Sequence, residues 1–197
     1  MFTFKHINEA KDFLVDKLSS SQTLESDSDF SRSSKFIAPY PPEQQKEAAL
    51  VAAAVVQELS DRGVRATLIN IYDVVLAILD EEGMWDMIAE TEPEMSKPDF
   101  TQALKDAIDL EGVVLPRIYQ QVKDDGAQVL VVTGMGACYP FLRTHRLLAN
   151  IEPGVPVLQF FPGRHAVLAD GSTSLDVLST PAGKGGSHYQ ARNIFDL

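Results

Sequence analysis

The pattern of apolar and polar positions along the chain predicts strands that alternate with helices. Short apolar runs rich in β-branched or aromatic residues are typical of buried strands, and they occur at residues 35–38, 66–71, 129–132 and 156–161. Longer segments with apolar residues at helical spacing occur at residues 4–18, 43–62, 73–80 and 99–123. We expect the last segment to be interrupted at Gly112 and Pro116. This alternation predicts an α/β fold with a single doubly wound, mostly parallel sheet and helices on both faces.

The two ends of the chain depart from this pattern. Half of the residues from Ser19 to Ser34 are serine, a composition that predicts a linker or loop rather than a buried core. We therefore divide the chain into a short N-terminal helical arm with its linker at 1–34 and an α/β domain at 35–197. Strand candidates at residues 166–169 and 174–178 indicate a small antiparallel C-terminal edge.

Three local signals refine the expected boundaries. The prolines that begin at Pro39 are expected to end the first strand. Asp73 is expected to cap the following helix, with a site acid at the end of a strand as the alternative. Residues 84–88 are expected to form a continuing turn that is packed by Trp85.

The stretch from Gln128 to Asn150 organises the rest of the chain. Its buried strand is followed by Gly134 and Gly136, which permit the backbone conformations of a sharp turn. Apolar residues then recur at helical spacing, with Pro140 in the expected first turn of the helix. Such a junction lies at the carboxyl ends of parallel strands, where ligands and partners most often dock.

Composition and charge narrow the possible functions. A chain of 197 residues with 45% apolar residues suits one domain, and no apolar run reaches the ~20 residues of a membrane span. The N-terminus lacks the long apolar segment of a secretory signal. With a single cysteine, these features predict a cytoplasmic protein. The net charge of -11 argues against strong autonomous binding to nucleic acid.

The glycine motifs are incomplete as nucleotide sites. A dinucleotide fingerprint at Gly134 and Gly136 would require a third glycine where Tyr139 stands. Lys184 lies in a glycine-rich loop, but it is followed by Gly185 rather than by the serine or threonine of a phosphate loop. A tight turn therefore explains the first motif better, and we expect no bound cofactor.

The remaining reactive residues do not form a catalytic or metal site. On a helix, Cys138 and His145 would lie about 10 Å apart by helical rise, whereas a nucleophile and its base need a contact of ~3 Å. A small buried thiol is the better interpretation of Cys138. The four histidines lack paired spacing for a metal. We therefore expect no catalytic residue and no metal, and a protein that is not an enzyme on its own.

Residues 133–145 carry the run Thr-Gly-Met-Gly-Ala-Cys-Tyr-Pro-Phe-Leu-Arg-Thr-His. This run resembles the BrxB family of bacteriophage-exclusion (BREX) defence systems. Shorter supporting runs occur at residues 69–73, 92–95 and 160–163. The resemblance marks as a candidate interaction or structural motif Thr133, Gly134, Gly136, Tyr139, Pro140, Arg143 and His145.

The resemblance implies a component of a multi-protein anti-phage system that also includes a large ATPase, a DNA methyltransferase and the alkaline-phosphatase-like protein PglZ. It supplies no catalytic motif for this chain. We therefore expect a non-catalytic adaptor that docks to another BREX protein, in particular PglZ. The alternative is a nucleotide-binding or nucleic-acid-binding α/β protein that uses the glycine turn at 134–136 and nearby basic residues such as Arg143, Arg146 and Arg164.

Tyr139 and Arg143 are four residues apart on the predicted helix, so they are expected to be neighbours on one face. If both side chains point outward, they supply the residue types that most often dominate interface energetics. Alternatively, both brace the glycine turn from inside. The sequence leaves these two arrangements open.

Overall fold

The protein is described by a computed structural model that covers residue 4 and residues 6–20, 35–139, 141–167, 173–176 and 191–197. Of the sequence predictions, most of the serine-rich linker, Pro140 and the glycine-rich loop around Lys184 lie outside the described residues. So do the ends of the two C-terminal strand candidates.

Helices and strands alternate through the central part of the chain, which confirms the predicted class. The helices are α1 Ile7–Leu18, α2 Gln45–Asp61, α3 Ile71–Glu81, α4 Met84–Thr91, α5 Lys97–Ala107, α6 Leu115–Asp124 and α7 Thr144–Asn150. The strands are β1 Lys35–Tyr40, β2 Ala66–Asn70, β3 Val129–Thr133, β4 Val157–Pro162, β5 Arg164–Val167, β6 Thr173–Asp176 and β7 Arg192–Asn193. A π-helical turn at Leu110–Val114 separates α5 from α6, as the interruption at Gly112 and Pro116 predicted.

The main sheet has five strands in the order β2-β3-β4-β1-β7, and every neighbouring pair is parallel. The strands β5 and β6 pair with each other in antiparallel fashion as a separate two-stranded sheet. In the described residues the C-terminal edge of the main sheet is therefore the parallel strand β7. The antiparallel pairing near the C-terminus lies in the small second sheet.

Helices cover both faces of the main sheet. The side chains of β3 alternate between the faces, because successive residues of a strand point to opposite sides. Val129 and Val131 pack with residues of α1 and α2, whereas Leu130 and Val132 pack with residues of α3 and α6. All four are fully buried, which explains why this strand reads as a continuous apolar run.

The helix α1 shares a core with the sheet. Its Leu14, Val15 and Leu18 are fully buried in the cluster that also contains residues of α2 and two residues of β4, Leu158 and Phe160. Phe4 also lies in this cluster, and its ring packs against the rings of Tyr40 and Phe160. The N-terminal helix therefore contributes buried apolar surface to the α/β region.

Two predicted boundaries are wrong. The strand β1 continues through Pro39 to Tyr40, because β7 pairs with β1 only at Phe36 and Ile37, and proline is tolerated where a strand lies at an edge. Asp73 does not cap α3. The chain passes from β2 into α3 without a loop, so the last strand residue is the cap.

The prediction that Trp85 packs a continuing turn is also wrong. Gly83 adopts a left-handed conformation, with φ 63°, and starts the separate helix α4. In α4 the core contacts come from Met84 and Ile88, whereas Trp85 is 43% exposed. The change of direction at Gly83 therefore leaves the tryptophan at the surface.

Candidate functional site

The glycine turn after β3 is anchored by two buried side chains. Gly134 adopts a left-handed conformation, and residues 135–138 form a single turn of 3-10 helix. Met135 and Cys138 from this turn are buried in the core cluster beside α3 and α6. The Cys138 thiol donates to the carbonyl oxygen of Gly134 at 3.6 Å. The buried side chains of Met135 and Cys138 therefore anchor the turn in the core.

Asn70 links this turn to the neighbouring strand. It pairs with Thr133 in the register of β2 and β3, and its Oδ1 accepts the backbone N–H of Tyr72 at 3.1 Å as the cap of α3. A Cβ at Gly134 would lie 1.8 Å from this oxygen. Gly134 is thus required both by its φ of 82° and by the close approach of Asn70.

At the second glycine of the motif, the structure excludes a side chain less strongly. Gly136 is exposed, and a Cβ there would lie 3.0 Å from the Cγ of Pro162. Its backbone is not left-handed. The two glycines therefore serve a tight turn packed against the ends of β2 and β4, which agrees with the tight-turn interpretation of the motif.

The helix after the turn begins at Thr144, later than the sequence predicted. Tyr139 has φ -69° and ψ 136°, and Arg143 has φ -129° and ψ 137°, so both lie in extended backbone before the helix. The predicted helical face shared by these two residues is wrong. The N–H of Leu142 bonds to the carbonyl oxygen of Cys138 at 3.0 Å, which closes a separate turn before α7.

Tyr139 and Arg143 nevertheless meet at the surface. The guanidinium carbon of Arg143 lies 5.6 Å from the centre of the Tyr139 ring, within the range of a cation–π contact. Tyr139 is 67% exposed and Arg143 is also exposed. Leu142 between them is buried. Tyr139 and Arg143, which we call the exposed pair, therefore rest on a segment that is held from inside by Leu142.

A groove with a volume of about 740 Å³ lies beside the exposed pair. It separates the end of α5 and the following turn from residues 141–146. The charged and titratable side chains that line it are Lys105, Asp106, Asp109, Arg143, His145 and Arg146. The sequence did not predict that Lys105 lies near Arg143 and Arg146. It is distant from them in sequence and belongs to no recognisable motif. Sequence reasoning also missed Asn70, although an asparagine directly before a helix is a cap signal.

His145 is half-buried in this groove and lies beside two cations. Burial lowers the pKa of the imidazole, and the charges of Arg143 and Arg146 lower it further. The folded state therefore favours neutral His145 more than the unfolded state does. This contribution to stability is present above the ordinary histidine pKa and is lost as the pH falls below it.

Replacing Arg146 by alanine should raise the pKa of His145, because one of the two repelling charges is removed. The pKa should stay below the ordinary value, since burial is the larger cause. An NMR titration of the imidazole protons measures this change, with Arg62→Ala, directly after α2, as the control. An unchanged His145 pKa in Arg146→Ala would contradict the charge contribution.

Cys138 is an inert thiol in this setting. It is fully buried, and burial, assisted by the charge of Asp73, raises its pKa to about 12. A thiolate is therefore strongly disfavoured at neutral pH. The interpretation of Cys138 as a small buried thiol is confirmed.

The described residues contain neither a cluster of metal-binding side chains nor a membrane-spanning helix. No group of three or more histidine, cysteine, aspartate or glutamate side chains in this part of the chain could hold a metal ion. No helix among these residues is long and apolar enough to cross a membrane.

The fold and the surface together define an α/β protein with an exposed aromatic–guanidinium pair at the carboxyl edge of a parallel sheet. The family model described as BREX protein BrxB matches residues 67–194 of the chain. The chain belongs to this BrxB family, which confirms the resemblance seen at residues 133–145.

Two relatives show the extent of the similarity. The BREX protein BrxB of Bacillus cereus (strain H3081.97) is 26% identical over 133 residues, which are 64% of this chain and 65% of that protein. The BREX protein BrxB of Escherichia coli O9:H4 (strain HS) is 21% identical over 101 residues, half of each chain. The chain thus spans less than two thirds of the length of either relative. No solved structure gives a significant match.

Proposed function

We propose that this chain is a non-catalytic adaptor of a BREX phage-exclusion system and docks to PglZ through the exposed pair, Tyr139 and Arg143. Membership of the BrxB family supports the assignment to a BREX system. The observation that carries the docking surface is the 67% exposure of Tyr139 with the Arg143 guanidinium 5.6 Å from its ring centre. Tyrosine is enriched at protein interfaces, because its ring offers apolar contact area and its hydroxyl a hydrogen bond.

The backbone beneath the exposed pair is suited to an interface. It lies between the strand β3, whose residues 129–132 are fully buried, and the helix α7, whose Leu147 and Leu148 are buried. A surface that is already ordered loses little conformational freedom when a partner binds. Tyrosine and arginine dominate many interfaces, because they combine a large contact area with directional hydrogen bonds.

The groove beside the exposed pair indicates the chemistry of the PglZ surface. Lys105, Arg143 and Arg146 line it with three positive charges against the two carboxylates of Asp106 and Asp109, so its balance is positive although the chain as a whole carries a net charge of -11. Carboxylates of a partner would form bidentate contacts with the two guanidinium groups. We therefore assign an acidic patch of PglZ to this groove.

The non-catalytic role rests on the environment of the reactive residues. Cys138, with its pKa raised to about 12, is not a nucleophile at neutral pH. The Asn70 side chain lies against the Gly134 turn, where its Oδ1 would be 1.8 Å from an added Cβ, and it caps α3. Both features favour a structural use of the turn.

Tyr139→Ala and Arg143→Ala should each weaken the affinity for purified PglZ by about 30-fold, or ~2 kcal/mol, and leave the protein folded. The exposed side chains contribute little to the core, so thermal melts should change little. Calorimetric titration of PglZ measures the affinity. Tyr139→Phe should retain most of it, because the ring is preserved.

The matched control for Arg143 is Arg62, an exposed arginine at the end of α2 that pairs with Asp16 and Glu58. It precedes β2 and therefore lies at the amino edge of the sheet. Arg62→Ala should bind PglZ like the wild type. Full PglZ affinity in both exposed-pair variants would remove this segment from the interface, and no PglZ binding by the wild type would reject the partner.

The alternative function is the binding of nucleotides or nucleic acid, and the local cations Lys105, Arg143 and Arg146 are the observation in its favour. The net charge of -11 should limit binding of DNA or RNA to weak, strongly salt-dependent association. A gel-shift assay at physiological salt checks this. Submicromolar binding, or calorimetric ATP binding that Gly136→Val abolishes, would favour the alternative over the adaptor.

A further inference from the structure

The strand β2 forms one edge of the main sheet. In the part of the chain that the structure describes, β2 pairs with β3 alone, over its full length. The carbonyl oxygen of Arg65 accepts the N–H of Val129, so the backbone groups of Arg65 are directed towards β3. Backbone groups alternate in direction along a strand, so the N–H and C=O of Ala66 and Leu68 and the N–H of Asn70 point away from β3. We call these groups the open edge.

The open edge lacks the features that usually prevent a strand from pairing with another chain. Edge strands are commonly protected by proline, lysine, a bulge or a very short length. The strand β2 has the sequence Ala-Thr-Leu-Ile-Asn, and its register with β3 is continuous. At the opposite edge of the described sheet, β7 has only two residues. The edge at β2 is therefore suited to the addition of a strand, which is a common mode of peptide recognition.

A groove with a volume of about 610 Å³ adjoins the open edge and lies between α3 and α6. Its wall on α3 includes Val74 and Ala77, which are half-buried. The side chain of Leu68 packs with the core cluster on the opposite face of the sheet, so the groove meets this residue at its backbone. An added strand would therefore direct alternate side chains into this groove.

The groove is lined by three carboxylates, those of Asp73, Asp124 and Asp125. Among the described side chains, Asp124 and Asp125 accept hydrogen bonds from neutral groups, and none of the three aspartates forms an ion pair. Arg117 also lines the groove, but it is already paired with Glu81 of α3. The charge of the groove therefore favours basic side chains in whatever segment pairs with β2.

We infer that β2 is the docking site for an extended, basic segment of a protein partner, which adds a sixth strand to the main sheet. The backbone of this segment bonds to the open edge. Its side chains directed into the groove are lysine or arginine and face Asp73 and Asp124. Those directed to the opposite face are apolar and extend the surface of Leu68. The inference goes beyond the proposed docking of PglZ through the exposed pair and does not rest on it.

The backbone pattern and the charge disfavour the other occupants. A helix has already used its backbone N–H and C=O groups internally, so it does not complete the open edge. Nucleic acid is negative and would be repelled by the carboxylates of the groove. Two copies of the chain joined through β2 would bring the same carboxylates together on one side of the joined sheet, and each copy carries a net charge of -11.

The probe is a fluorescein-labelled peptide of alternating lysine and valine, whose binding to the full chain is measured by fluorescence polarisation. Hydrogen exchange followed by NMR then identifies the site. The N–H groups of Ala66 and Leu68 should exchange about tenfold more slowly in the complex, whereas those of Thr67 and Ile69, which face β3, should change little. A peptide with glutamate in place of lysine should bind about tenfold more weakly, or less.

Two N-methylated peptides test whether the probe binds as a strand. One carries the methyl groups on the backbone nitrogens of its lysines, and the other on those of its valines. Because the N–H groups of alternate residues point to opposite sides of a strand, one peptide should lose binding and the other should stay within about threefold of the unmodified probe. Loss on lysine methylation indicates a strand parallel to β2, and loss on valine methylation indicates an antiparallel one.

Variants of the chain test whether the peptide occupies the surface that we assign. Leu68→Pro removes an N–H of the open edge and no bond to β3, so it should weaken peptide binding about tenfold. Asp73→Asn/Asp124→Asn should weaken it about fivefold and keeps the test valid if the proline variant does not fold, which circular dichroism checks. The matched control Glu43→Gln/Glu90→Gln, which neutralises two exposed acids elsewhere, should leave the affinity almost unchanged.

Several results would overturn this inference. Absence of saturable peptide binding would reject it, and so would binding that leaves the exchange of Ala66 and Leu68 unchanged. Equal effects of the two N-methylated peptides would show that the probe does not bind as a strand. An equal loss in the Glu43→Gln/Glu90→Gln control would show unspecific attraction to an acidic chain. A dimer of the free chain that Leu68→Pro abolishes would assign the edge to a second copy.

These outcomes are separable from those of the proposed docking to PglZ. Tyr139→Ala changes the exposed pair and leaves the open edge intact, so it should bind the lysine–valine peptide like the wild type. Loss of PglZ affinity in Tyr139→Ala with normal peptide binding would support two separate surfaces. Failure of the peptide to bind the wild type would reject the inference about β2 and leave the PglZ measurement unaffected.

Discussion

Gly134→Ala should lower the free energy of unfolding by about 3 kcal/mol, which makes it among the most damaging single-methyl changes in the chain. A left-handed backbone costs roughly 1–2 kcal/mol for a residue with a Cβ. The added carbon would also lie 1.8 Å from the Oδ1 of Asn70, so the cap of α3 would be displaced at a further cost of about 1 kcal/mol. Chemical denaturation monitored by circular dichroism measures the loss.

Gly63 supplies a matched control for this prediction. Its φ is 80°, close to the 82° of Gly134, but a Cβ there would meet no atom within 4 Å. Gly63→Ala should therefore cost only the backbone strain, about 1 kcal/mol. If both variants lose the same stability, the contact with Asn70 is not important.

A double variant separates the contact from other causes. Asn70→Ala alone should cost about 1 kcal/mol through loss of the helix cap. In the presence of Asn70→Ala the damage from Gly134→Ala should shrink, because the atom that the new carbon meets is absent. Strict additivity of the two losses would contradict the proposed collision, since residues in contact normally show coupling.

Leu14→Ala should destabilise the protein by about 3 kcal/mol, although residue 14 belongs to a helix far from the sheet in sequence. Leu14 is fully buried in the cluster that joins α1 to α2 and β4, and its truncation leaves a cavity in that core. The same denaturation measurement applies. Unfolding should remain a single transition, because α1 and the sheet share one core.

The control for this change is Glu9→Ala on the exposed side of the same helix, which should alter stability by less than ~0.5 kcal/mol. A separate early transition for α1 would contradict the shared core. So would a loss below ~1 kcal/mol in Leu14→Ala. Either result would instead describe α1 as a loosely attached arm.

The sequence predicted four of the five strands of the main sheet and missed the two-residue strand β7; the runs of β1, β3 and β4 were clear because these strands are almost wholly buried. A continuous apolar run such as Val129–Val132 is compatible with few structures other than a buried strand. Gly63 and Gly83 indicate where helices end. The order of the strands could not be predicted. It depends on which strands meet in space, and the apolar run of β1 does not indicate that it inserts between β4 and β7.

The local geometry of the candidate site was harder to predict, because competing signals occur close together. Helical spacing after Pro140 predicted an early helix, but the turn closed by Leu142 and Cys138 delays its start to Thr144. The proximity of Tyr139 and Arg143 was nevertheless predicted, for a reason that proved wrong. The prediction of a continuing turn packed by Trp85 also failed, because the sequence does not show that Gly83, with φ 63°, starts a separate helix.

The position of β1 in the sheet has a consequence for the order in which the protein folds during synthesis. Phe36 pairs with Leu158 on one side and with Arg192 on the other, so both neighbours of β1 are made long after it. Contacts between such distant segments slow folding, because a long loop must close before they form. The emerging chain must therefore keep the apolar strand β1 from pairing with other chains until residues 157–193 have also left the ribosome.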